Sequence, residues 1–157
     1  MNKDEYNQYL QKMMALCSNS EKCEYDIEQK LRKYNVPEDD RQKILSDLQE
    51  HDFINHTRYV EAFINDKLNF NHWGKRKIAY ALHAKNIDET LIQTKLDEIE
   101  PEYYERILEE ELEKKISKIP YPVDKEGKAK IIRFLTQKGF EYGKVFDILE
   151  KRAGKEE

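Results

Sequence analysis

Residues 52–99 read DFINHTRYVEAFINDKLNFNHWGKRKIAYALHAKNIDETLIQTKLDEI, and this stretch decides the fold. Tyr59, Val60, Phe63, Ile64 and Leu68 recur at three- and four-residue intervals, which predicts a helix with one apolar stripe. Trp73-Gly74 then breaks the pattern. A basic run follows that carries Ile78, Ala81 and Leu82 inward and Lys75, Arg76, Lys77 and Lys85 mostly outward, with Gly74 read as its tight entry. After the Asn86-Ile87-Asp88 joint, Asp88 can cap a third helix whose inner positions are Leu91, Ile92, Leu96 and Ile99.

The same spacing occurs twice more. Ile78, Leu82, Asn86, Ile87 and Leu96 match Ile27, Leu31, Asn35, Val36 and Leu45 at an offset of 51 residues, and Ile131, Leu135, Gly139, Phe140 and Leu149 at an offset of 53. A fixed recurrence marks repeated supersecondary units, each too small to bury its apolar face alone and so obliged to stack on its neighbour. The expected fold is all-α, an elongated, curved array of three tandem three-helix repeats at residues 1–51, 52–99 and 100–157.

Both flanks fit this division. Upstream, Asn2 caps a helix with Glu5 reaching back, and Tyr6, Tyr9, Leu10, Met13 and Met14 form its stripe. Ser18-Asn19-Ser20-Glu21 is expected to restart the chain with cap chemistry, and Cys23, Ile27, Leu31 and Tyr34 supply the next buried face. Asn35 tolerates the left-handed backbone that ends a helix, Pro37 suits the first turn of the next, and Ile44, Leu45 and Leu48 face inward there. Downstream, Pro101 opens a longer helix with Tyr104, Ile107, Leu108, Leu112 and Ile116 inward, ended by Pro120-Tyr121-Pro122. Asp124 caps a helix expected to bury Ile131, Ile132, Phe134 and Leu135, and Gly139 stands where the other units have Asn. Val145, Phe146, Ile148 and Leu149 complete the pattern, and the charged tail Lys151 to Glu157 is expected to fray.

Composition agrees with a thin object. Apolar and charged residues each make up 38% of the 157, against a typical charged share of about 25%, so the core is modest and the solvated surface large. The net charge of −4 argues against avid DNA binding by bulk electrostatics. Its distribution is more informative: Lys75 to Lys85 holds four positive charges and no acid, and Lys125 to Arg152 holds eight basic against four acidic residues. Such strips on an acidic chain point to a polyanionic or acidic partner face.

Catalytic chemistry finds no foothold. Nucleophile elbows, Walker loops and dinucleotide glycines are absent, and His51, His56, His72 and His83 have no metal-ligand spacing, so they read as surface or hydrogen-bonded side chains. Glu109-Glu110-Glu111 and Asp39-Asp40 read as solvated helix faces. Cys17 and Cys23 read as reduced thiols. MNKDEYNQYL has no apolar signal region and no run approaches membrane-spanning length, so a soluble intracellular protein is expected.

With Asn55, Arg58, Tyr59 and Phe63, then Trp73-Gly74-Lys75-Arg76-Lys77-Ile78, Leu82 and Lys85-Asn86-Ile87 in view, the chain resembles the RecX family of bacterial recombination regulators. That family's central block runs acidic-acidic-x-Arg-aromatic-Ala, then Gly-x-x-basic-Ile and a Leu-x-x-Lys-Gly-Ile helix end; here His56 and Thr57 replace the acids, Val60 the small residue and Asn86 the glycine. The resemblance implies a cytoplasmic bacterial protein without catalytic chemistry or cofactor. It would bind the RecA filament on single-stranded DNA as a monomer, with weak contact to single- or double-stranded DNA and none to membrane, and limit filament growth, ATP turnover and strand exchange.

The residues expected to meet that partner are Lys75, Arg76, Lys77 and Lys85 on one strip, Lys128, Lys130, Arg133 and Lys138 on the other, and Trp73 and Arg58. Each has a plainer reading. Trp73 can close the core between two helices, Arg58 can make an interhelical polar contact, and the lysines can form a solvated face. A helical-repeat DNA-binding protein, or an adaptor for another protein, remains the alternative function.

Overall fold

A computed structural model describes residues 1–156, with side chains as far as 153. Among the described residues the chain forms nine helices: α1 (Lys3–Asn19), α2 (Glu24–Lys33), α3 (Glu38–Glu50), α4 (His56–Asn69), α5 (Lys75–His83), α6 (Glu89–Asp97), α7 (Pro101–Ile116), α8 (Lys125–Gln137) and α9 (Tyr142–Glu156). The main helix packing falls within consecutive triads, α1 and α2 on α3, α4 with α5 and α6, and α8 between α7 and α9. The accessible surface is 10145 Å², whereas a compact protein of 18.9 kDa would expose about 8,300 Å². The molecule is elongated.

The recurrence in sequence becomes a recurrence in backbone. Asn35, Asn86 and Gly139 have φ of 56°, 59° and 101°. At each point the next amide turns back to the carbonyl five residues earlier, Val36 to Leu31 (3.1 Å), Ile87 to Leu82 (3.3 Å) and Phe140 to Leu135 (3.1 Å). This left-handed stop satisfies a carbonyl at the helix end and turns the following apolar residue inward. Val36, Ile87 and Phe140 are accordingly buried, as are Ile27, Ile78 and Ile131 in the helices before them.

Start signals at α1, α4, α6 and α8 are side-chain caps from Asn2, Asn55, Asp88 and Asp124. The expected restart at Ser18–Glu21 is not where α2 begins. Helix α1 runs through Asn19, and Cys23 precedes α2, its amide bonded to the Asp26 carboxylate at 3.3 Å. The buried Cys23 thiol anchors that turn, which the polar run before it cannot do. Pro37 likewise stands just before α3 rather than in its first turn.

Two apolar clusters form. One holds α1–α3 around Met13, Ile27, Leu31, Ile44, Leu45 and Leu48. The other runs unbroken from α4 to α9. Several residues expected inside lie further out: Tyr34, Ala81, Leu91, Ile99, Ile116, Leu149, Ile132 and Phe134 are half-buried, and Phe146 is exposed and stacked on Tyr142. The last three sit on the flanks of α8 and α9, whose buried lines are Ile131 with Leu135 and Val145 with Ile148. The expected fraying of the tail is also revised: α9 continues to Glu156, with Lys151 paired to Glu105 and Arg152 to Glu113 on α7, while Glu157 lies outside the described residues.

Candidate partner-binding surface

Helix α5 carries the first basic strip, and its position is fixed by main chain. The Gly74 N–H donates to the Lys138 carbonyl at 2.7 Å and the Arg76 N–H to the Gly139 carbonyl at 3.0 Å. Between them the Lys75 N–H donates to the Tyr104 hydroxyl at 3.0 Å. The first amides of α5 are thus satisfied by the α7–α8 side of the molecule. Gly74 is needed for this approach rather than for a tight turn, since its φ is −78° and a Cβ there would lie 2.2 Å from the Gly139 carbonyl carbon. A Cβ on Gly139 would in turn lie 2.4 Å from Lys77 Cβ. Two glycines therefore let α5 abut the C-terminal end of α8, placing the start of the first basic strip beside Lys138 at the end of the second.

The ten candidate residues divide by what holds them. Acids hold three: Arg58 pairs with Glu21 (2.6 Å) and Asp52 (2.9 Å), Lys138 with Glu111 (3.1 Å), and Lys85 with Asp26. Aromatic rings hold two, Lys75 over Tyr104 at 4.9 Å and Lys77 over Trp73 at 4.4 Å. Trp73 is half-buried against the larger core, edge-on to Phe63 at 6.4 Å. Arg76, Lys128, Lys130 and Arg133 are exposed and, among the described residues, have no acidic partner.

Glu111 is the residue sequence reasoning placed most wrongly. It is 4% exposed, not solvated. His72 Nδ1 lies 2.6 Å from one carboxylate oxygen and Lys114 Nζ 3.2 Å from the same oxygen, while Lys138 holds the other. Burial pushes its carboxyl up, but the hydrogen bonds from His72, Lys138 and Lys114 outweigh that and hold it below the ordinary value. Its partners lie 39 and 27 residues away along the chain, so no local pattern announces it. Tyr104 was read as core and is more: its buried hydroxyl also donates to Glu141, and burial raises its pKa. Tyr80, unremarked in the sequence, stands 79% exposed on α5.

The cysteines and His56 are held in the packing rather than presented at this surface. Burial pushes the free Cys23 thiol up to about 11, and Cys17 is also free and raised. His56 Nε2 accepts from the Glu24 N–H at 3.2 Å, a structural bond. Among the described residues no helix is long and apolar enough to cross a membrane.

Known proteins share the architecture. The family model for the second three-helix domain of RecX matches residues 55–96, and that for the third matches residues 102–155. The regulatory protein RecX of Clostridium perfringens is 30% identical over 123 residues, covering 77% of this chain. This chain spans 57% of the length of that relative. The Clostridium acetobutylicum regulatory protein RecX is 26% identical over 152 residues, 94% of this chain and 70% of its own. A crystal structure of RecX from Lactobacillus salivarius superposes with a TM-score of 0.78 at 23% identity, covering 94% of this chain and 96% of that one, a likeness of fold.

Proposed function

This chain belongs to the RecX family of regulatory proteins, and from that premise we propose that it binds the RecA filament on single-stranded DNA and restrains it. In this reading it works in the bacterial cytoplasm as a monomer, without catalytic step or cofactor. The three triads, at residues 1–51, 52–99 and 100–157, act as repeats that together span more than one subunit of the polymer. Several moderate contacts spread along an elongated body give firm engagement through effective concentration, even where the overall charge is negative.

The observation that supports this best is the set of exposed cations on α5 and α8. Arg76, Lys128, Lys130 and Arg133 carry no acidic partner among the described residues, so their charge is available to an acidic subunit face or to phosphates. Arg58, Lys85 and Lys138 contribute indirectly, by holding the units in place.

RecA-driven ATP hydrolysis on single-stranded DNA tests the proposal. The protein is expected to slow it in a dose-dependent way, and the double variant Arg76→Glu/Lys77→Glu to lose most of that effect. Its unfolding free energy should change by less than about 0.5 kcal/mol through Arg76, the usual range for surface changes, and by no more than about 1 kcal/mol through Lys77, which leaves the Trp73 ring. A flat titration with the parent protein counts against RecA as the partner. An unfolded double variant moves these two residues from binding to structure.

A further inference from the structure

Helix α5 exposes Arg76, Tyr80 and His83, with Ala84 exposed just past its end, and at spacings of four, three and one residues they lie along one face. Tyr80 stands at its centre, 79% exposed. Most other tyrosine rings are occupied: Tyr6, Tyr25, Tyr34, Tyr103 and Tyr104 each carry a Lys or Arg over the ring, Tyr9, Tyr59 and Tyr142 pair with another ring, and Tyr121 alone shares the open state of Tyr80 among the described residues. The Tyr80 ring has neither an aromatic nor a cationic partner among the described residues. No acidic residue occurs from Lys75 to Ile87. Arg76 and Lys77 stand one turn before the ring and His83 one turn after it.

The other exposed aromatics lack this setting. Tyr142 and Phe146 stack on each other at 6.4 Å, Phe70 follows Asp66 by one turn, and Tyr121 is followed within three residues by Asp124. The surroundings of Tyr80 also speak against an apolar protein anchor. Such anchors work inside a desolvated apolar patch, whereas the exposed neighbours here are Arg76, His83 and the small Ala84. An open π face with Arg76 and Lys77 one turn before it matches an unpaired base with a flanking phosphate.

We propose that Tyr80 is a base-stacking platform for single-stranded nucleic acid, with Arg76 and Lys77 on a flanking phosphate. Because the base faces of a duplex are already stacked on each other, the ring gives preference to single strands, while the cations serve both. The inference deepens the filament reading by naming what one face of that surface meets, but its test needs no RecA.

Anisotropy of a fluorescent oligothymidylate, and of a duplex of equal length, is measured at low salt with the whole protein. Tyr80→Ala is expected to weaken single-strand binding about ten-fold, the usual effect of removing one stacking aromatic, and to leave duplex binding unchanged. Tyr80→Phe keeps the ring and retains the preference. Arg76→Ala weakens both ligands and lowers the salt slope by about one. Circular dichroism of the three variants should match the parent. Equal affinity of Tyr80→Ala and parent for the oligothymidylate overturns the proposal, as does an equal loss on both ligands. Failure to bind any oligonucleotide, with retained binding of a polyglutamate peptide, overturns it in favour of an acidic protein face. The RecA ATPase titration is a separate readout, so loss of one reading leaves the other standing.

Discussion

The junction between α1–α3 and α4–α6 and the junction between α4–α6 and α7–α9 join similar triads by different means. At the first, the two triads keep separate apolar clusters, and only Cys23 and Tyr25 cross into the larger one. Charges and polar groups do the joining: Arg58 to Glu21, Lys85 to Asp26, and the Glu24 amide to His56. The second Glu21 oxygen is buried without a hydrogen bond, so even this polar seam is incompletely satisfied. At the second junction one apolar cluster is continuous, main-chain hydrogen bonds run from Gly74 to Lys138 and from Arg76 to Gly139, and Glu111 ties three segments together. Apolar burial and main-chain contact are insensitive to salt, whereas partly exposed ion pairs are screened by it. The difference makes α4–α9 one body and α1–α3 an attached one.

The strongest way to break this contrast is Gly139→Ala. It combines a left-handed backbone with a clash against Lys77, and should cost roughly 3 to 5 kcal/mol. Urea unfolding followed by hydrogen exchange should show the loss in α4–α9, with protection in α1–α3 retained. A uniform loss across all helices would mean that the triads fold as a single unit.

Glu111→Gln is expected to cost roughly 2 to 3 kcal/mol, less than the full price of orphaning a buried charge because Lys114 and Lys138 can turn toward water. The carboxyl has a folded pKa below its unfolded one. Its contribution is therefore complete above the ordinary value of 4.5 and is lost as pH falls through the lower folded value. Acid unfolding of the parent should accordingly be steeper than that of the variant, and parallel curves would remove Glu111 from the account.

The smallest effect sharpens the first junction. Lys85→Ala should cost no more than about 1 kcal/mol at low salt and less at high salt. Exchange in α1–α3 should rise while α4–α9 stays protected. An effect independent of salt would assign Lys85 to packing through its stem over Tyr25 rather than to its bond with Asp26.

What could be read from the sequence was whatever one helix and its cap contain. Asn35, Asn86 and Gly139 were legible because a helix stop needs a residue that tolerates positive φ, and their spacing repeats. The same rule leaves room for surprise, since Asp52 and His72 also have positive φ, at 60° and 54°, outside that repeat. Of the contacts between triads only the polar role of Arg58 was legible, and not its partner Glu21. Glu111 looks like its solvated neighbours Glu109 and Glu110 until His72 and Lys138 are brought beside it, and Gly74 looks like a turn until Gly139 arrives. The candidate surface shows the same boundary: its basic strips could be counted from the chain, but which cations are held by acids depends on pairs up to 59 residues apart, as between Asp26 and Lys85.

The Gly74–Gly139 contact consists of backbone on backbone, so evolution has no side chain there to vary by degrees. Exposed positions on the two helices can be exchanged without touching this point, whereas a larger residue on either side pushes the halves apart as a wedge does. Comparing relatives for a hydrogen atom at both places would thus tell, without any further coordinates, which of them hold their second and third triads at the same angle as this chain.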